Sequence, residues 1–209
     1  MLGRLRAQYE RLMLPAGRML ARTGLSPNHL TLLSIPVGMA CTYAYWRMGL
    51  LWGVLGILAI GFVDMLDGSL ARATNRVTRF GGVLDHVLDR YAEYFIILGI
   101  LLGDHAAWFW GLYALFGMVM ASYTRAKAES IGGLARCTVG IAERQEKMLG
   151  LIAGSLIAYA FPWVSRPIMN ITLLVVGTLS HITVIQRLMY TRRHADHDVR
   201  CASNRKSCV

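Results

Sequence analysis

The chain has 209 residues, 55% of them hydrophobic and 16% charged, with a formal net charge of +10. Its apolar residues are gathered into long blocks, not spread at amphipathic spacing, which argues against a soluble globular domain and for one polytopic helical membrane domain. The positive balance needs no nucleic-acid partner, because its placement follows membrane orientation and attraction to anionic headgroups.

The first segment, 1–25, opens MLGRLRAQYERLMLPAGRML. It lacks the long apolar run and cleavage site of a signal peptide. It reads as a basic amphipathic helix on the membrane surface, with Leu5, Leu12, Met13, Met19 and Leu20 toward lipid. Residues 26–193 then hold six apolar stretches of about 17–25 residues, the length a helix needs to cross the hydrocarbon core. They run approximately over Leu30–Trp46, Leu50–Met65, Gly82–Gly103, His105–Tyr123, Met148–Val164 and Ile168–Tyr190. The polar tail, 194–209, reads as disordered.

The expected fold is therefore all-α: a polytopic membrane protein with six transmembrane helices preceded by an interfacial helix. One side of this layout carries only Arg47 and Arg166 among its loops, and the remaining basic residues gather on the other. The positive-inside rule makes both termini and both basic loops cytoplasmic in an integral, multi-pass cell-membrane protein. Cys41, Cys137, Cys201 and Cys208 show no metal-ligand spacing and read as free thiols.

The chemistry is concentrated between Asp64 and Asp89, in the pattern D-x2-D-G-x2-A-R-x8-G-x3-D-x3-D. A carboxylate at the centre of a membrane helix costs about 2.5–3.5 kcal/mol on insertion scales. Asp64 and Asp67 are three residues apart and Asp85 and Asp89 four apart, so each pair shares a helix face. A short loop joins the two helices antiparallel, which lets the two faces meet. Four carboxylates give an all-oxygen ligand set suited to Mg²⁺ or Mn²⁺, with room for two ions. Gly68 leaves a bare spot beside Asp64, and Gly81, four before Asp85, clears the facing helix in the same way. Arg72 is placed to grip phosphate oxygens with its planar fork. Metal ligands, open backbone and arginine together describe a site for a diphosphate ester.

These residues resemble the signature of the CDP-alcohol phosphotransferase family, and the chain supplies every fixed position: Asp64, Asp67, Gly68, Ala71, Arg72, Gly81, Asp85 and Asp89. The resemblance implies a dinuclear metal centre on the four aspartates and Asp89 as general base. It implies a CDP-linked lipid donor held by Asn28 and Thr31 of the SPNHLT segment, with Gly68, Ala71, Arg72, Thr78 and Gly81. It also implies a homodimer. SPNHLT reads equally well as a helix start. His86 matches no fixed position and reads as packing.

A second basic cluster lies in SYTRAKAESIGG (122–133) and GIAERQEKMLG (140–150), where Arg125, Lys127, Arg144 and Lys147 accompany Ser122, Glu129 and Glu143. The positive-inside rule accounts for the charges alone; an acceptor that carries a phosphate accounts for the pairing as well. These segments resemble the inositol-phosphate branch of the family. That resemblance places Ser122, Arg125, Lys147 and Arg187 on the phosphate of inositol 1-phosphate, with Arg144 in the same cluster. Lys147 stands where the branch usually has arginine, which loses the bidentate fork and leaves glycerol 3-phosphate as the rival acceptor. Diacylglycerol and archaeol donors present the same head and are not distinguished. Two other classes use intramembrane carboxylates. A prenyltransferase would need its two acidic motifs in separate repeats, and a divalent-cation transporter would need a midplane site.

Overall fold

The computed structural model describes residues 15, 17, 19–21, 24, 26–74 and 77–206, with side chains described through His194. Among these residues all regular structure is helical. The chain forms two compact units, Met1–Asp104 and His105–Val209.

In the first unit, α1 (Pro27–Leu32) starts where SPNHLT calls for it. Ser26 is extended and its hydroxyl accepts a hydrogen bond from the His29 N–H at 3.4 Å. Pro27 occupies the first turn, where a missing N–H costs nothing. Helix α2 (Ser34–Tyr43) follows immediately. Pro36 has no N–H to donate to the carbonyl of Leu32, so a single ladder cannot run through this stretch. A π-helical turn, Ala44–Met48, closes with the Gly49 N–H on the Ala44 carbonyl at 2.9 Å. Gly49 then ends it at φ 97°, a conformation that favours glycine. The single span expected over Leu30–Trp46 is thus two helices and a turn.

Helix α3 (Leu50–Ala73) carries the first half of the acidic motif and α4 (Arg79–Leu102) the second. Both run further toward the motif than the apolar pattern suggested. Leu50, Val54, Ile57, Ile60 and Val63 of α3 are buried, while Leu51, Leu55, Leu58 and Phe62 are exposed. A helix apolar on both faces suits protein on one side and lipid on the other. Small residues let α2, α3 and α4 approach closely. A Cβ on Gly53 would collide with the Tyr45 ring, one on Gly56 would sit 2.7 Å from Cys41 Sγ, and one on Gly99 2.8 Å from Thr42 Cα. The Thr42 hydroxyl donates to the Phe95 carbonyl at 2.7 Å, satisfying itself across the α2–α4 contact.

The second unit contains α5 (Trp108–Ser130), α6 (Arg144–Ala160), a 3₁₀ turn (Pro162–Val164) and α7 (Ser165–Lys206). Helices α5 and α7 meet backbone to backbone at paired glycines: a Cβ on Gly117 would lie 3.1 Å from the Gly177 carbonyl oxygen, and one on Gly177 3.1 Å from Ala114 Cα. Helix α6 begins with a capping box, the Glu143 N–H donating to Glu146 Oε2 at 2.7 Å.

Among the described residues two stretches, Leu50–Ala73 and Pro162–His194, are long and apolar enough to cross a membrane by length and composition, against the six expected. Helix α6 has only 17 residues and α2 only 10, and α4 carries the charged half of the motif. The surface-helix segment 1–25 lies mostly outside the described residues. Of it, Met19 is exposed, whereas Gly17 is buried so tightly that a Cβ would sit 2.7 Å from the Ser69 carbonyl oxygen of α3. Residues 194–206 continue α7 as helix.

Candidate metal and phosphate sites

Helices α3 and α4 bring Asp64, Asp67 and Asp85 together, with one carboxylate oxygen from each lying within 4.8 Å of the others. Two oxygens on opposite sides of one Mg²⁺ stand about 4.2 Å apart, twice the ~2.1 Å bond. The three aspartates therefore fit a hard divalent cation with little adjustment, and the donor set is all oxygen. Asp67 is the most enclosed of them, at 8% exposure.

Asp89 falls in a second group, with Asp85 and His86, drawn together within the same 4.8 Å limit. Asp85 belongs to both groups, an arrangement suited to two neighbouring ions. His86, expected to pack, is exposed and offers a ring nitrogen to this group. Its i,i+3 spacing to Asp89 was the available signal. Behind Asp89, Arg90 places one amino group 3.8 Å from Asp89 Oδ2 and the other 2.8 Å from Glu93 Oε2. Glu93 is fully buried, so this ion pair offsets a carboxylate that would be costly alone.

The residues expected around the donor split into two clusters. In one, the Thr31 hydroxyl of α1 is shared between the Asp67 carboxylate and the Pro27 carbonyl, 3.0 Å from the latter. This ties SPNHLT directly to the carboxylate group. In the other, Asn28, Thr78 and Gly81 meet. Thr78 caps α4 by accepting the Gly81 N–H at 3.0 Å, and a Cβ on Gly81 would lie 3.0 Å from Thr78 Oγ1 and 3.3 Å from Asn28 Oδ1. Gly81 thus makes room for Asn28 and Thr78 rather than for the facing helix. Arg72 folds back over Gly68, its two amino groups 3.5 and 3.6 Å from where a Cβ would stand. Ala71 is half-buried beside it.

In the second unit, Ser122, Arg125 and Glu129 lie on one face of α5, at i, i+3 and i+7. Arg125 Nε donates to Glu129 Oε1 at 3.1 Å. Lys147 is buried in the first turn of α6, with Arg144 half-buried one turn before it. Arg187 of α7 is buried and spends two donors on backbone: Nε on the Val139 carbonyl at 2.9 Å and Nη1 on the Ala121 carbonyl at 2.6 Å. Arg187 also lies within charge-interaction range of Arg125, Glu129 and Glu143. Glu143, which the sequence paired with these cations, is the cap of α6.

This geometry agrees with a comparison across known proteins: residues 25–181 match the CDP-alcohol phosphatidyltransferase family model. The chain belongs to the CDP-alcohol phosphatidyltransferase family. Archaetidylinositol phosphate synthase of Methanothermobacter thermautotrophicus is 41% identical over 81% of this chain and 84% of its own length. The corresponding synthase of Pyrococcus horikoshii is 34% identical over 94% of this chain and 99% of its own. The crystal structure of Mycobacterium tuberculosis phosphatidylinositol phosphate synthase with CDP-DAG bound superposes with a TM-score of 0.75 at 30% identity. It covers 87% of this chain and 94% of that one. A second structure of that enzyme, in complex with manganese and citrate, gives a TM-score of 0.74, with 86% and 88% covered. This CDP-alcohol phosphatidyltransferase is accordingly an enzyme, a transferase of phospholipid biosynthesis, and the transporter and prenyltransferase alternatives fall away.

Proposed function

We propose that this transferase moves the phosphatidyl-type group of a CDP-linked lipid, diacylglycerol or archaeol, to a hydroxyl of inositol 1-phosphate and releases CMP. The observation that carries the reading is the pair of ligand groups sharing Asp85. It is supported by relatives described as inositol phosphate synthases and by the CDP-DAG and manganese complexes of the mycobacterial enzyme. Asp64, Asp67, Asp85 and Asp89 would hold two Mg²⁺ or Mn²⁺ ions. Bound there, the ions supply charge neutralisation for the diphosphate and the departing CMP.

The protein's own groups do the rest. Arg72, lying over Gly68, presents its fork to diphosphate oxygens, while Asn28, Thr31, Ala71, Thr78 and Gly81 shape the nucleotide side. Asp89 accepts the proton of the attacking hydroxyl as its oxygen bonds to the lipid phosphorus. The bond from that phosphorus to CMP breaks, and CMP leaves with the electron pair. Ser122, Arg125, Arg144, Lys147 and Arg187 hold the acceptor phosphate. The enzyme works as a homodimer with six membrane spans, both termini and the active site being cytoplasmic. The concentration of basic residues on one side supports that orientation.

Purified protein in detergent with Mg²⁺ and a CDP-lipid should release CMP on addition of inositol 1-phosphate. Release with glycerol 3-phosphate but not inositol 1-phosphate would overturn the acceptor assignment. The Arg72–Gly68 contact gives a second expectation. Gly68→Ala adds a methyl at ordinary contact distance and should leave KM for CDP-lipid within about threefold. Gly68→Leu should displace the guanidinium and raise that KM by ~10-fold or more, the scale of one charge-assisted hydrogen bond. Steady-state kinetics in CDP-lipid at saturating acceptor measures both.

A further inference from the structure

The connection between α5 and α6, residues 131–143, has no regular structure, yet side chains fasten it along its length. Glu129 Oε1 accepts the Cys137 N–H at 2.9 Å, and the Val139 carbonyl accepts from Arg187 Nε at 2.9 Å. Gln186 Oε1 accepts the Ile141 N–H at 3.0 Å, and Thr183 Oγ1 the Ala142 N–H at 3.4 Å. Gly133 and Gly140, at φ 69° and 154°, supply the bends, and a Cβ on Gly140 would sit 2.6 Å from Thr183 Cγ2. The loop is therefore seated against α5 and α7 with its polar backbone satisfied by chosen partners.

Glu129 is the joint of this arrangement. The same oxygen that holds the loop through Cys137 also holds Arg125 through Nε. This bond occupies the Nε of Arg125, so the two terminal amino groups are the donors a ligand would use. Arg187, anchored by Nε and Nη1, keeps Nη2 on the Gly140 side. Two guanidinium ends held by backbone and carboxylate anchors lose little freedom when they bind a dianion, which is the advantage of preorganisation.

We propose that Glu129 is a positioning residue of the acceptor pocket, fixing Arg125 and the 131–143 loop together so that a phosphomonoester meets the Arg125 amino groups and the Nη2 of Arg187 in preset positions. This rests on the reading of the acceptor as a phosphorylated polyol. Glu129 does not touch the acceptor; it acts through Arg125 and the loop. Glu129→Gln keeps the shape but loses the charge that holds both donors at once.

The test is kinetic, on the full-length protein in detergent. Glu129→Gln should raise KM for inositol 1-phosphate ~10–100-fold, the span of one hydrogen bond to a charged group. KM for CDP-lipid and kcat should stay within about threefold. Glu129→Asp, which keeps the charge on a shorter arm, should fall between and serves if the glutamine variant does not fold. Cys137, a fully buried residue of the fastened loop, gives a readout independent of turnover. In a Cys201→Ser, Cys208→Ser background its maleimide labelling should accelerate at least tenfold in the variant, and a Cys137→Ser control should remove that signal. Unchanged acceptor KM with unchanged labelling overturns the proposal, as does an equal rise in both KM values. If the wild-type enzyme uses glycerol 3-phosphate instead, the inositol assignment fails separately. The same KM comparison on glycerol 3-phosphate then decides the role of Glu129.

Discussion

Asp89→Asn is expected to cut CMP release by about 10²–10⁴-fold while leaving CDP-lipid affinity within about threefold. The size follows from what the carboxamide lacks. It keeps the shape of the carboxylate and one acceptor oxygen, but it cannot take the proton of the attacking hydroxyl. The split between turnover and affinity follows from the structure. Asp89 stands outside the Asp64–Asp67–Asp85 group and joins the site through Asp85. The oxygens of the Asp64–Asp67–Asp85 group, the first proposed cation position, therefore remain when Asp89 is changed. The Arg90 amino group at 3.8 Å, itself held by Glu93, still defines where the side chain lies. Single-turnover CMP release beside equilibrium binding of CDP-lipid in Mn²⁺ measures the two quantities separately. Equal losses in both would make Asp89 a ligand first and would move the base elsewhere.

Asp85→Asn is expected to be the most damaging single change in the acidic cluster for metal binding. Asp85 is the carboxylate common to both candidate ligand groups, so under the proposed two-ion reading its loss should weaken two positions at once and Asp64→Asn one. Removing a mere supporting partner of a metal ligand costs about 10–100-fold in affinity. Removing a shared ligand should cost at least that at each position, and turnover should fall to background. Titration of Mn²⁺ followed by electron paramagnetic resonance counts bound ions directly. Asp64→Asn should retain one class of Mn²⁺ site and Asp85→Asn neither. Equal stoichiometry in the two variants would rule out the bridging role proposed for Asp85.

The sequence already contained the acidic motif, because carboxylates at helical spacing beside long apolar runs are costly and few arrangements offset that cost. Asp64, Asp67 and Asp85 could be brought together on paper from i,i+3 and i,i+4 periodicity and one short loop. The helical class followed equally directly from the apolar blocks. The ends of the helices were less legible. Apolarity stops marking a helix where polar function begins, so α3 runs on to Ala73 and α4 starts at Arg79, past the limits the hydropathy suggested. Pro36 and the π turn at Ala44–Met48 broke a stretch that composition alone presents as one span.

What the sequence determined by itself was which carboxylates gather and the family they mark. Those features depend on neighbours a few residues apart, and local helical geometry carries them. Only the tertiary structure decided which partners the long-range groups take. Thr31 reaches Asp67 because α1 packs on α3, Gly81 clears Asn28 rather than the opposite helix, and Arg187 divides its donors between Ala121 and Val139. Glu129 and Glu143 looked alike as acidic companions of a basic cluster. Folding made one the clamp of a loop and the other a helix cap. A hydrogen bond depends on tenths of an ångström between groups far apart in the chain, and no periodicity along the chain encodes that distance.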